Sequence, residues 1–114
     1  MSPTNPDPAA EPVVIRDDEK SRYEVWLGDL LAGFTDFHAD ARGRLVFDHT
    51  LVDHAFGGRG LGTTVVAGAM ADVARRGETV VPVCPFVVRY LETHDVPGLS
   101  IAWRDGRGQE EASA

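Results

Sequence analysis

Apolar residues alternate with polar ones through the first half of the chain and recur every three to four positions in the second, so the period changes from that of a strand to that of a helix. Val13 and Ile15 alternate with Val14 and Arg16, and Asp17 to Lys20 makes a solvated polar turn. Tyr23, Val25 and Leu27 fall on one face of a second strand, which ends at Gly28-Asp29. A third strand is predicted from Leu31 to His38, and the turn Asp40 to Gly43 leads into a fourth, Arg44 to Val52. Beyond it, Leu61, Val65, Ala69 and Val73, widened by Val66 and Met70, form the stripe of an amphipathic helix. Arg75, Arg76 and Gly77 close that helix, since cations suit its negative end and glycine suits a left-handed cap. Thr79 to Val83 is nearly all apolar, as a strand buried on both faces and parallel to the fourth requires. Phe86 to Thr93 has the spacing of one short helix starting after Pro85.

The fold class expected is therefore α+β: an antiparallel meander of about four strands, a β-α-β crossover and a short C-terminal helix, with about five strands in the sheet. One domain spans residues 13–104. Residues 1–12 carry four of the seven prolines and almost no large apolar side chain, and are expected to be a disordered tail; 105–114 is polar and expected to fray.

Composition narrows the function classes. At 114 residues and 43% apolar content the chain suits a single core. Eighteen acidic against eleven basic residues give a net charge of -7, which repels nucleic acid and anionic membranes, so neither is expected as a partner. No apolar run nears the roughly 18 residues of a spanning helix, and no basic-then-apolar leader opens the sequence, which leads to an expected cytoplasmic location. Cys84 is the single cysteine and has no disulfide partner, so it is either core filler or chemistry. His38 and Asp36 share a strand face, but no third ligand stands at metal-binding spacing, and no metal site is expected.

The most informative segment is His54-Ala-Phe-Gly-Gly-Arg-Gly-Leu-Gly-Thr-Thr64, placed between a strand and a helix. Ser, Thr, Asp or Asn ordinarily caps a helix start, but Gly57, Gly58, Arg59 and Gly60 precede Leu61, and none of them offers a side-chain acceptor. Free amides at the positive end of a helix, unshielded by Cβ atoms, suit an anion, a diphosphate in particular. The bland alternative is a tight turn without a ligand. A nucleoside-triphosphate loop is disfavoured because Thr63 stands where its lysine belongs, and a dinucleotide fold because Gly58 and Gly60 are followed by Thr63 and four antiparallel strands come first.

The blocks HTLVDHAFGGRGLGTTVV and VVPVCPFVVRYLETH resemble the GNAT acetyltransferase superfamily, and within it small YjdJ-like proteins that retain little more than the acetyl-coenzyme A half. The resemblance implies acetyl-coenzyme A as co-substrate, pyrophosphate on the backbone amides of Gly58, Arg59, Gly60, Leu61, Gly62 and Thr63, and a pantetheine amide on Val52. The chain departs from the superfamily pattern twice. Gly57 replaces a Gln or Arg that would contact a phosphate, and only a turn separates Arg16 from Tyr23 where two acceptor-binding helices usually stand.

Acetyl transfer to an amine needs a base for the acceptor and an acid for the departing thiolate. The resemblance offers Tyr90 as that acid, whereas a tyrosine on the apolar side of a helix is as often a tethered core residue. Cys84, between Pro82 and Pro85 at the end of the parallel strands, either accepts the acetyl group or lines the channel. His49, in the fourth strand, carries an imidazole, the side chain most often used as a base, and the YjdJ-like pattern has a histidine there too; strand histidines are otherwise ordinary hydrogen-bonding groups. Arg75, Arg76 and Arg89 read as surface charges rather than 3′-phosphate ligands. The function expected is N-acetyl transfer to an unidentified amine by a monomer or homodimer, with a non-catalytic acetyl-coenzyme A sensor or interaction module as the alternative.

Overall fold

The computed structural model describes residues 11–104. One sheet runs in chain order through β1 (Val13–Asp17), β2 (Arg22–Leu27), β3 (Leu30–Ala39), β4 (Leu45–Val52), β5 (Thr79–Pro82) and β6 (Ser100–Ile101). The first four strands pair antiparallel, whereas β5 lies parallel to β4 and β6 parallel to β5. Helix α1 (Leu61–Arg75) makes the crossover from β4 to β5, and α2 (Pro85–Thr93) follows β5.

The α+β order expected from the period change is observed, with one more strand than expected. β6 is a two-residue pairing with Thr79 and Val80 after the Pro97-Gly98 turn, too short to carry a period of its own. β3 extends to Leu30 and Ala39, and β4 begins at Leu45 instead of Arg44. Of the two expected tails, Glu11 and Pro12 belong to no element; residues 1–10 and 105–114 lie outside the described residues. Among the described residues no helix is long and apolar enough to cross a membrane.

The core lies between one face of the sheet and α1. The helix stripe Leu61, Val65, Val66, Ala69, Met70 and Val73 is buried throughout, as the spacing predicts. Tyr23 and Val25 of β2, Phe37 of β3 and Leu45 and Phe47 of β4 face it, and Tyr23, Phe37 and Phe47 pack ring to ring with centroids 5.3–6.2 Å apart. Thr35 is fully buried among these apolar groups because its hydroxyl pairs with that of Thr50, directly across on β4, at 2.9 Å.

β1 presses against α1 through Val14. A Cβ added to Gly68 would lie 2.9 Å from Val14 Cβ, so helix and edge strand approach as closely as glycine permits. Gly68→Ala is therefore expected to destabilise the fold by about 1–3 kcal/mol through overpacking, despite alanine's better helix propensity. Thermal melts of the two proteins check this; a variant melting above the wild type would show that β1 yields freely.

The opposite face of the sheet carries no helix among the described residues. Register places Val13 across from Trp26, Ile15 across from Glu24, and Phe34 across from both Glu24 and Leu51. Val13, Ile15 and Leu51 are exposed there. Glu24 is nevertheless buried, held by Arg22 at 2.8 Å and by the Trp26 indole at 3.1 Å.

Candidate functional site

Two local features meet at the end of β4. The first is a parting of the sheet. β4 and β5 pair at Leu45↔Val80, Val46↔Val81 and Phe47↔Pro82, and no further. The amides of Val83 and Cys84 both donate to the Phe47 carbonyl, at 3.1 and 2.9 Å, which turns the chain after β5 away from β4. β4 runs on to Val52 with β3 as its ladder partner. A register shift at Asp48 re-aims the strand where the parting begins.

The backbone direction of this free edge follows from the ladder. The Asp53 amide donates to the Ala32 carbonyl at 2.8 Å, so the backbone groups of Asp53 and Leu51 point toward β3. Those of the intervening Thr50 and Val52 point the other way, into the gap. Val52 thus presents an amide and a carbonyl to the position expected for a linear amide-bearing chain. The mouth of the gap is spanned by the buried Cys84, whose Sγ lies 3.5 Å from the Thr50 hydroxyl.

The second feature is the glycine-rich turn. Asp53 caps a single 3-10 turn, His54–Phe56, by accepting the Ala55 amide at 2.8 Å. Phe56 is buried and anchors this turn in the core, and the Arg59 guanidinium lies 5.7 Å from its ring centroid. The sequence reading did not find this anchor, although Asp53 two residues before Ala55 is the local signal of such a cap. Gly58 and Gly60 then adopt left-handed backbone, with φ of 82° and 71°. Gly60 caps α1 without a side-chain hydrogen bond. Its carbonyl takes the Thr64 amide, but among the described residues no acceptor is paired with the amides of Leu61, Gly62 or Thr63. The glycines on the approach and Thr63 are exposed, whereas Leu61 and Gly62 are themselves buried.

The sequence-predicted residues occupy distinct places around these features. Gly58, Arg59, Gly60, Leu61, Gly62 and Thr63 form the turn and the first turn of α1; Val52 lies on the free edge of β4. Cys84 stands at the gap beside Thr50. His49, next to Thr50 in sequence, points to the other sheet face, where its exposed ring tilts against Phe34 at 6.2 Å and Asp36 lies opposite in register. Cys84 and His49 therefore flank the β4 edge from opposite sides. Tyr90 sits elsewhere, half-buried on α2 beside Thr63, with its ring parallel to that of His94. His38 bonds Asp48 at 2.7 Å. Sequence reading missed Thr50, a β4 side chain whose hydroxyl meets Cys84, because a threonine among strand residues carries no signal of its own.

The unpaired amides at the start of the crossover helix thus stand at the same end of the domain as the parting of the sheet. Over residues 22–97 the chain matches the profile of the family described as GCN5-related N-acetyl-transferase, and it belongs to that family. The solved structure of a ribosomal-protein-alanine N-acetyltransferase from Brucella melitensis biovar Abortus 2308 is similar at 20% identity and a TM-score of 0.44, over 82% of this chain. The chain spans 61% of that protein's length. No curated protein matches.

Proposed function

We propose that the chain binds acetyl-coenzyme A, with its pyrophosphate on the open amides of Leu61, Gly62 and Thr63 and its pantetheine along the free edge of β4, and that it transfers the acetyl group to an amine. The observation that carries this reading is the coincidence of uncapped helix amides with a parted β4–β5 edge. A diphosphate satisfies the first, a chain of secondary amides satisfies Thr50 and Val52, and coenzyme A contains both. Membership of the acetyltransferase family supports the same assignment.

In this reading the thioester reaches the Thr50–Cys84 contact. An amine approaching from the bare sheet face meets His49, whose imidazole takes the proton the amine loses as its nitrogen attacks the thioester carbonyl. The C–S bond then breaks and the coenzyme leaves as a thiolate that must be protonated. Tyr90 is the candidate acid. Cys84 serves either as an intermediate acceptor, its thiolate displacing the coenzyme thiolate, or as the wall of the channel. The cell interior, where acetyl-coenzyme A is made and thiols stay reduced, is the compartment that suits this chemistry.

A second reading, binding without turnover as a sensor or interaction module, is favoured by the exposed Val13, Ile15 and Leu51, since no helix among the described residues builds an acceptor pocket over them. One experiment separates the readings. A hundredfold excess of acetyl-coenzyme A over its Kd is expected to stabilise the protein by about 2.7 kcal/mol. Mass spectrometry of a panel of primary amines incubated with both is expected to show an acetylated product. Stabilisation without any product favours the module, and no stabilisation removes both readings. Intact-mass analysis of the same mixture reports whether Cys84 becomes acetylated.

A further inference from the structure

We propose that the bare face of the sheet docks a basic segment of another protein, which brings the acceptor amine to His49. The inference rests on the transfer reading above and gives it an acceptor class: a cationic polypeptide with apolar side chains, in place of a small amine.

Register arranges this face in three rows across β1 to β4. Val13, Trp26 and Leu31 make the first, and Ile15, Glu24, Phe34 and Leu51 make the second. Asp17, Arg22, Asp36 and His49 make the third. The first two rows are apolar but for Glu24, and Val13, Ile15 and Leu51 are 45–55% exposed. Four strands span about 14 Å between their outer axes, so the apolar rows form a broad surface of the kind that marks a protein contact. A cavity where Leu31, Phe34, Leu51 and Asp53 meet measures about 130 Å³. That is well under the size of a small-ligand site and leaves room for one apolar side chain.

Charge selects the occupant. Arg22 is the one arginine or lysine in these rows, and its charge is used within the face: it holds Glu24 at 2.8 Å and lies 4.5 Å from the Phe34 ring centroid. Asp17, Asp36 and Asp53 hold no ion pair among the described residues. Three uncompensated carboxylates around an apolar floor, on a chain of net charge -7, attract a cationic partner and repel a second copy of the same face. Asp36 also sets where the amine arrives. Directly across from His49 in the ladder, its carboxylate draws an ammonium group to the imidazole that takes the proton. The apolar floor and the carboxylates together supply the binding that a walled acceptor pocket would otherwise give.

Retention of the protein on immobilised decapeptide libraries tests this, one library alternating Lys with Leu, Val or Phe and the other alternating Glu with the same apolar residues. The wild type is expected to bind the basic library and not the acidic one, and Leu51→Thr and Asp36→Asn each to bind it about fivefold more weakly. Asp95→Asn makes the same change of charge at an exposed position beyond α2 and is expected to bind like the wild type. With acetyl-coenzyme A, lysines of the basic library are expected to be acetylated, and spermine, a cation without apolar side chains, to be a poorer substrate. Absent binding, or binding that both face substitutions leave intact, overturns the docking surface. A wild-type dimer that Leu51→Thr makes monomeric gives the face to a second copy and overturns it equally. Peptide bound but never acetylated, or acetylation of spermine alone, overturns the acceptor class. The melting shift with acetyl-coenzyme A is expected to be the same in all four proteins. If the wild type lacks that shift, the coenzyme reading fails and the acceptor role with it; a full shift without peptide binding refutes this inference alone.

Discussion

Gly60→Val is expected to abolish the thermal stabilisation that coenzyme A confers. Gly60 sits at φ 71°, a conformation in which a β-branched side chain is strained, and it immediately precedes the open amides of α1. The added atoms meet nothing inside the protein, since no heavy atom lies within 4 Å of an ideal Cβ at this position, so they project toward the ligand side. Holding a left-handed valine costs roughly 1–2 kcal/mol, and any relaxation to escape that strain swings the Leu61, Gly62 and Thr63 amides out of convergence. A ligand at a hundredfold excess over its Kd gives about 2.7 kcal/mol, which raises the melting temperature of a domain this size by roughly 10 °C or more. That shift is expected to vanish in the variant. Gly43→Ala supplies the control: Gly43 has φ 77°, lies in the β3–β4 turn and likewise has open space around its Cβ position, so it imposes comparable backbone strain far from the site. If Gly60→Val melts with an undiminished ligand shift, the turn does not hold the pyrophosphate.

The turn was legible in the sequence because its signal is negative and local. Four residues without a side-chain acceptor stand where a capping side chain is expected, and that holds whatever the rest of the chain does. The α1 stripe and the β2 alternation were legible for a similar reason: each face repeats often enough to override single exceptions. The parting of β4 and β5 was not readable in this way. It depends on where a parallel ladder stops, and the stop is made by two amides sharing the Phe47 carbonyl, a long-range event with no residue-type signature. The outward side of α2 was hidden by a different ambiguity. Phe86 and Tyr90 satisfy the helical period whether they face core or solvent, and only tertiary placement shows that Val87 and Leu91 take the buried side. Arg75, Arg76 and Arg89 looked alike as surface charges. The structure separates them, giving the first two to Asp72 and leaving Arg89 exposed on α2. Asp72 itself reads as one more polar residue of α1, yet it is buried, because Tyr23 and both arginines converge on it from across the sheet and from the next turn of the helix.

That convergence leads to the second large effect, a loss of about 2 kcal/mol of stability in Tyr23→Phe, seen as a fall of roughly 10 °C in melting temperature. The Tyr23 hydroxyl donates to Asp72 Oδ2 at 2.6 Å and accepts from Arg16 Nη1 at 3.1 Å, and Arg16 in turn holds Glu78 at 2.7 Å. One buried phenol thus ties β2 to α1, to the edge strand β1 and to the segment entering β5. Phenylalanine keeps the ring packing against Phe37 and Phe47, so the loss isolates the polar links. The pH dependence identifies them further. Burial acts to raise the Asp72 pKa, but the hydrogen bonds from Tyr23 and Arg76 and the charges of Arg76 and Arg75 outweigh it and hold the carboxyl below its ordinary 3.8. A carboxyl depressed in the folded state stabilises it at pH values above the unfolded pKa, and that contribution is lost as pH falls through the lower, folded value. Burial, and then the bond to Asp72, raises the Tyr23 pKa above its ordinary 10.0, so its contribution is full below that value and declines as pH rises beyond it. The difference in melting temperature between wild type and Tyr23→Phe is therefore expected to be widest from about pH 5 to 9 and to narrow toward both extremes. A difference that stays constant from pH 3 to pH 11 would show that the loss does not run through the charge of Asp72 or the phenol proton.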